Sequence, residues 1–463
     1  MLDLAIVLFY LLALPLVSII NKRKGKNFQS FTKISKKFQN NKLILVATIF
    51  ASTIGGGTTF GLSEKVFSDN IAYSLGLVLA VPCDIAIAIF ILPKLVTHYK
   101  SETVGDIMSH YYGNSGRFLG GISAILVSVG LLAAQISVSG RIFEYILEID
   151  YVSGVIISYT IIIIYTTIGG FQSILFANQL QFFAIIATIP AISIFGLYHI
   201  GIDQFVINFP MEKIDFKETP ELLKITIASA FGFAVINLLP TFIQRALINK
   251  DVELTKKAVY IKSCIYVFFL FFVTLNGVIA FISYPEVKAS LALPHLIDQI
   301  IPPGLQGFAV VGLLAAVMST ADSDLNVISV TLVKDIIKPL FRLHASYMNA
   351  MVRVVNLFIG SFAIIIALNF TKIVDLVIFI AGFWGPITLV PLILGLYHIT
   401  VSKAGYVISS ICGGFGFILW SCFIETETSM KAVFIGTLVN LFVFMIFYLM
   451  STEPRCTLPR TYD

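Results

Sequence analysis

The chain has 463 residues, 57% of them hydrophobic and only 12% charged, with a mean hydropathy of +0.93. A soluble protein carries roughly a quarter charged residues, so the composition excludes a water-soluble fold and defines an integral membrane protein. The net charge of +5 is no nucleic-acid footprint, because the basic residues sit in short connectors between apolar runs, where they set topology. The cysteines form no disulfide framework. Cys83, Cys264, Cys412 and Cys422 lie in apolar spans and read as small packing residues, and Cys456 is in the tail. The histidines scatter near span ends without metal-ligand spacing.

At about 20 apolar residues per crossing, the chain divides into predicted spans near 2–20, 43–62, 73–97, 118–143, 149–168, 179–200, 223–243, 262–284, 304–333, 350–370, 374–397, 404–424 and 431–450. Residues 1–42 hold a first transmembrane helix and a basic loop. Residues 43–397 form a ten-helix core, and 398–463 add two helices and a short tail. The first apolar run is followed by a basic loop rather than a small-residue cleavage site, so it reads as a retained helix and not as a signal peptide. That loop carries Lys22, Arg23, Lys24, Lys26, Lys33, Lys36, Lys37 and Lys42. It is expected in the cytoplasm, which puts the N-terminus outside and the C-terminus inside. Alternation then places the loops around Lys100 and Arg117, from Arg245 to Lys262, and from Lys334 to Arg353 on the same cytoplasmic side. The connectors 144–150 and 285–302, poor in Lys and Arg, face outside.

Two spans are predicted to be discontinuous. Span 2 contains Gly55-Gly56-Gly57, and each glycine weakens a helix by roughly 1 kcal/mol against alanine. Span 7 contains Phe231-Gly232-Phe233, then Asn237 and Pro240. The two lie five spans apart, the interval expected if spans 2–6 and 7–11 are inverted-topology repeats. Broken helices at corresponding places in two repeats point to a transporter's central site, although glycine and proline are also common in ordinary membrane helices.

The segment AAVMSTADSDLN (315–326) sets Ser319, Thr320, Asp322, Ser323, Asp324 and Asn326 into an otherwise apolar span. Hydrocarbon offers no water to such groups, so each needs a partner in the protein, a cavity or an ion. At 3.6 residues per turn, Ala316, Ser319 and Thr320 share one helix face. Two hydroxyls and one spare carbonyl supply about three of the hard oxygens an alkali cation needs, and an unwound stretch of span 2 can supply the rest. The competing reading is a hydroxyl pair bonded back onto its own helix. Asp84, in span 3, has no evident basic residue at matching depth, since Arg141 should lie nearer the external surface. It reads either as a contact for a cationic substrate or a proton acceptor, or as a protonated side chain satisfied by backbone carbonyls.

Motifs in order along the chain now bear on the choice: ATIFASTIGGGTTFG (47–61), TVGDIMSHYYG (103–113), YTTIGGFQSILFANQLQ (165–181), LPTFIQRALINKD (239–251), PGLQGFAVVGLLAAVMSTADSDLN (303–326) and GPITLVPLILGLY (385–397), continuing into SKAGYVISSICGG (402–414). With them the chain resembles the sodium:solute symporter family, which includes sodium–proline, sodium–sugar, sodium–pantothenate and choline transporters. The resemblance implies an all-α leucine-transporter-type fold with one helix before the ten-helix core and two after it. It also implies a site for the coupling ion Na+ between spans 2 and 9, formed by the carbonyls of Ala51, Ile54 and Ala316 and the hydroxyls of Ser319 and Thr320. One departure stands out. Where the family usually has a Thr-Asp pair linked to sodium release, this chain has Ala177 and Asn178. Asp322 and Asp324 are therefore ion-path candidates with Asn178, and Asp324 is expected to supply the missing charge.

Solute-cavity candidates are Thr53, Gly55, Gly56 and Gly57, Gln135 and Ser139, Phe233 and Asn237, and Phe383 and Trp384. The glycines let backbone approach a ligand, and half-helix N-termini favour a carboxylate. With Trp384 and Trp420 the sole tryptophans, an aromatic cage for a quaternary ammonium such as choline is hard to build. The sequence reads as a cell-membrane symporter of a small organic solute, with an amino acid such as proline the leading candidate. No nucleophile–base pair is visible at membrane depth, so no enzyme is expected. The partners implied are the lipid bilayer and the solute, with no nucleic acid and no obligate protein. The alternatives are a solute sensor working with a separate signalling partner, a proton-coupled carrier of the same fold, and a passive channel.

Overall fold

A computed structural model describes residues 2–21, 28–214, 220–236, 238–369, 379, 382–425 and 431–450. Helices make up the framework, and there is no strand among the described residues. In lipid only helices or closed barrels satisfy every backbone group, and the apolar runs of this chain accordingly become helices. They are α1 (Leu2–Asn21), α2a (Lys42–Ala51), α2b (57–68), α3 (Ala72–Val96), α4 (Val104–Ile146), α5 (151–169), α6 (171–200), α7a (Pro220–Ile236), α7b (Pro240–Ala246), α8 (Val252–Ser283), α9 (Gln306–Phe341), α10 (Ala345–Asn369), α11 (Gly385–Leu396), α12 (Lys403–Phe423) and α13 (Ala432–Met450). Helix numbers thus match the predicted spans.

Side-chain caps set several starts by accepting an otherwise orphaned backbone N–H. Asn41 caps α2a through Ile44 N–H (3.1 Å). Thr103 caps α4 through Asp106 N–H (3.0 Å), and Asp251 caps α8 through Leu254 N–H (3.0 Å). The last of these moves a boundary. The apolar run of span 8 begins at 262, but the cap starts the helix ten residues earlier, so Lys262 lies inside α8 and not in a surface loop. Arg245 likewise leaves the predicted cytoplasmic connector for α7b, where it is fully buried. Spans 5 and 6 also differ from expectation. No loop separates them, because the helix reverses through Gly170, whose φ of 69° is left-handed and open to glycine at little cost. A Cβ there would meet the Ser30 carbonyl at 2.5 Å, so the same glycine also lets the basic loop close against the turn.

The helices sort into two packed groups. In one, α3 lies on α7a and α8 lies on α2a, α2b and α3. In the other, α4, α5, α6 and α10 pack with α9. The helix α9 is the central post: 89% of its most apolar stretch is buried, against 61% for α4, the next most buried. The helices α12 and α13 pack mainly on each other and on α11.

Lys334, at the end of α9, pairs with Glu102 and Asp106, and Arg117 bonds Asp106 at 2.9 Å and Asp335 at 3.4 Å. Bases predicted to lie in cytoplasmic connectors therefore clasp α9 to α4 on the side that holds the basic loop.

Candidate functional site

Both predicted helix breaks exist. The helix α2a stops at Ala51, residues 52–55 leave the helical conformation, and α2b resumes after Gly56. Stopping a helix orphans its last carbonyls, and α9 uses two of them. The Ser319 hydroxyl donates to Ala51 O at 2.8 Å, and the Thr320 hydroxyl donates to Ile54 O at 2.6 Å. Both hydroxyls also lie near Ala316 O, at 3.0 and 3.4 Å. The two readings of the Ser–Thr pair are thus both visible, as bonds back to the own helix and bonds across to the break. All five predicted ion ligands converge. They form an uncharged cluster of hard oxygens, buried between the two helix groups, of the donor type an alkali cation takes in exchange for water.

Side chains from α4, α2b and the start of α11 satisfy backbone groups at the breaks. Gln135 Oε1 accepts Gly56 N–H at 2.7 Å, and Thr58 Oγ1 accepts Gly55 N–H at 3.0 Å. Trp384 Nε1 donates to Leu238 O at 3.2 Å, beside the break of span 7. Gln135 and Trp384, both predicted to touch solute, are therefore also the struts that satisfy unwound backbone. The Thr53 hydroxyl turns back to Ile49 O (2.7 Å). Ser139 lies apart from the breaks, bonding Ser158 at 3.1 Å between α4 and α5. Phe383 packs edge-on against Phe417, with ring centroids 4.9 Å apart. Phe233 lies in α7a, and Asn237 lies outside the described residues.

The three glycines are not equivalent. A Cβ on Gly55 would meet Gln135 Nε2 at 2.8 Å, and one on Gly56 would meet Val138 Cγ2 at 2.6 Å, while Gly57 faces open space. Gly55→Ala is expected to push Gln135 off the Gly56 N–H and leave buried polar groups unpaired, at about 1–3 kcal/mol. Solute uptake should fall about tenfold or more in Gly55→Ala and stay within about twofold of the parent in Gly57→Ala. Equal behaviour of the two in uptake and thermal-stability assays would refute this reading of the break.

The region on the basic-loop side of the oxygen cluster differs from expectation. Asn178 Nδ2 reaches Thr48 Oγ1 of α2a (3.2 Å) and Ser323 Oγ of α9 (3.4 Å). Ser323 in turn donates toward Asp322 Oδ1 (3.0 Å), and Asp322 Oδ2 accepts from Tyr165 (2.6 Å). It is therefore Asp322, and not Asp324 as expected, that brings a carboxylate within one hydroxyl of Asn178. The Asp324 carboxylate is buried beside Ser128 of α4 and takes no part in these bonds.

Arg245 and Lys262 escaped the sequence reading, because each sits at the polar end of a helix that hydropathy assigns to a loop. Lys262 is the partner that Asp84 seemed to lack: Nζ lies 2.6 Å from Asp84 Oδ2, with 4% and 7% of the two residues exposed. The pair joins α8 to α3, and Tyr266 lies 4.9 Å beneath the ammonium. Asp84 is thus neither an isolated acid nor one capped only by backbone carbonyls.

Two broken membrane helices, the first of which presents its carbonyls to buried hydroxyls of α9, fit the architecture of a membrane carrier. Residues 41–413 match the model of the sodium:solute symporter family, and the chain belongs to that family. Its members are transporters rather than enzymes, and sodium is the coupling ion. The chain is 23% identical over 394 residues to the sodium/pantothenate symporter of Escherichia coli (strain K12), covering 80% of each. It is 25% identical over 404 residues to the high-affinity proline transporter PutP of Bacillus subtilis (strain 168), covering 80% of this chain and 82% of that one. In fold it is similar to a Na+-coupled sialic acid symporter solved in a substrate-bound outward-open state, with a TM-score of 0.87, 17% identity and 99% of each chain covered. The architecture is the leucine-transporter type.

Proposed function

We propose that this chain imports a small organic solute across the cell membrane together with Na+, which binds Ala51, Ile54, Ala316, Ser319 and Thr320. The observation that carries the reading is the meeting of the Ser319 and Thr320 hydroxyls with the carbonyls of Ala51 and Ile54 across the two helix groups. An ion entering there replaces hydroxyl–carbonyl bonds with ion–oxygen bonds on both sides, so it holds the groups together in one arrangement. Rocking of one group against the other then exposes the site to the opposite face. The basic loop 21–42 faces the cytoplasm in this reading, with the N-terminus outside and the C-terminus inside. A membrane potential adds about 2.3 kcal/mol per charge per 100 mV, or roughly fifty-fold accumulation for one ion.

The solute is an amino acid, with proline first. Gln135 sits on the Gly56 amide of the α2 break and Trp384 on the Leu238 carbonyl beside the α7 break, and the positive dipole end of α2b favours a carboxylate. The test is uptake into proteoliposomes of radiolabelled proline, pantothenate, sialic acid and choline, under sodium, potassium and proton gradients. Proline should accumulate only with an inward sodium gradient. Accumulation of another solute would overturn the choice of solute alone, and a proton-driven uptake would overturn the ion. Equilibration without any gradient would indicate a channel, and binding without flux a sensor.

A further inference from the structure

Arg245 is, after Trp384, the largest side chain that the described residues bury completely. The sodium-site reading leaves its charge unused. Its guanidinium donates to Thr241 O at 3.3 Å and Gln244 Oε1 at 3.2 Å within α7b, and Phe171 covers it at 5.7 Å. The remaining amine donates to the Ser323 hydroxyl of α9. That hydroxyl is a junction. It also receives Asn178 Nδ2, and its single hydrogen lies between Ser319 O (2.8 Å) and Asp322 Oδ1 (3.0 Å). The Asp322 carboxylate therefore lies one hydroxyl away from the Arg245 guanidinium.

These bonds divide according to the helix groups. Tyr165–Asp322 and Ser323–Asp322 lie wholly within the group built around α9, so they survive any movement between the groups. Arg245–Ser323 joins α9 to α7b, the second half of the broken span 7. The bonds Ser319–Ala51 and Thr320–Ile54 cross between the groups. A movement that draws α2a and α7b together from α9 would break the candidate ion cluster and take the guanidinium from Ser323 beside Asp322.

We propose that Arg245 is the positioning residue for sodium release, a tethered counter-cation that masks Asp322 while sodium occupies the Ser319/Thr320 cluster. When α7b draws away from α9, Asp322 is left as an unmasked carboxylate within a turn of the ion on the basic-loop side, and sodium moves toward it and out. The lost aspartate at Asn178 is thus answered by a carboxylate on the neighbouring helix whose strength depends on conformation. Burial makes the switch effective, since charges interact far more strongly there than in water. The proposal rests on the sodium-site reading.

The test uses purified full-length protein and radioactive sodium alone, with equilibrium binding and dissociation on dilution as readouts. Arg245→Gln permanently unmasks Asp322, so sodium should bind about tenfold more tightly and leave about tenfold more slowly. Arg245→Lys, which keeps the charge, should stay within about threefold of the parent. Asp322→Asn added to Arg245→Gln should return both values to near the parent. Asp322→Asn alone should weaken binding several-fold, which keeps the test alive if Arg245→Gln fails to fold. Unchanged affinity and dissociation in folded Arg245→Gln, or no reversal by Asp322→Asn, would overturn the proposal. Ser319→Ala/Thr320→Ala in the same assay separates the two ideas. If it still binds sodium normally the site itself is wrong, whereas if it loses binding while Arg245→Gln is unaffected only the role of Arg245 falls.

Discussion

The double substitution Ser319→Ala/Thr320→Ala is expected to abolish sodium-driven uptake while leaving a folded protein. Both hydroxyls are buried, and each has a carbonyl of the α2 break within hydrogen-bond distance. Their removal takes two of the five oxygens that converge there and leaves the carbonyls of Ala51 and Ile54 without their donors across the groups. Each lost ligand is worth about 1–3 kcal/mol, so the single variants should raise the sodium concentration for half-maximal uptake about tenfold to hundredfold. The pair should push it beyond a measurable range. Thr320→Ser keeps the oxygen and should stay within about threefold of the parent, which separates ligation from packing. Full sodium-dependent uptake by the double alanine variant would refute the site.

The second large effect is expected at Asp84 and Lys262. Their buried ion pair joins α3 to α8 at 2.6 Å, and removing one charge strands the other in a medium of low dielectric, at about 3–5 kcal/mol. Asp84→Asn and Lys262→Met should each lower folded yield and thermal stability sharply, with uptake reduced more than tenfold. Combining them removes both charges at once, and replacing a whole buried pair is often near neutral. The double variant should therefore recover most of the stability and uptake of the parent. Losses that simply add would show that the two side chains act independently and that the pair does not hold these helices together.

These two predictions differ in how far the residues alone could have led to them. Ala316, Ser319 and Thr320 share a helix face by periodicity, and the glycine run beside Ala51 and Ile54 announced the break that presents their carbonyls. Both are local facts of the chain, legible in the spacing of residue types. The resemblance to a known family then joined the two segments. The pair Asp84–Lys262 had no such signal. The lysine stands at the edge of an apolar run, and hydropathy assigns an edge charge to water. It took the Asp251 cap, which extends α8 ten residues toward the basic-loop side, to carry Lys262 to the depth of Asp84. Arg245 escaped for the same reason, since a charge in a seven-residue half-helix looks like a loop charge until the neighbouring helices close over it.

Asp322 and Asp324 show the limit most sharply. Two residues apart on one helix, they point in directions about 200° apart at 100° per residue, and periodicity placed Asp324 below Thr320. Nothing in the chain says which neighbours wait on each side. The packing of α5 and α6 against α9 brings Tyr165 to Asp322 and Asn178 to Ser323, and thereby sets Asp322 rather than Asp324 one hydroxyl from Asn178.

Composition, hydropathy and the order of the motifs pointed by themselves to a helical membrane carrier, to where its helices break and to the helix face that Ala316, Ser319 and Thr320 share. These follow from one-dimensional properties: the length of a membrane crossing, the period of a helix and the weakness of glycine within it. Tertiary structure alone decided which buried charges pair. A charge buried in the membrane must find its partner in three dimensions, and helices distant in the chain supply it: α8 brings Lys262 to Asp84, and α7b brings Arg245 to the Ser323 hydroxyl beside Asp322.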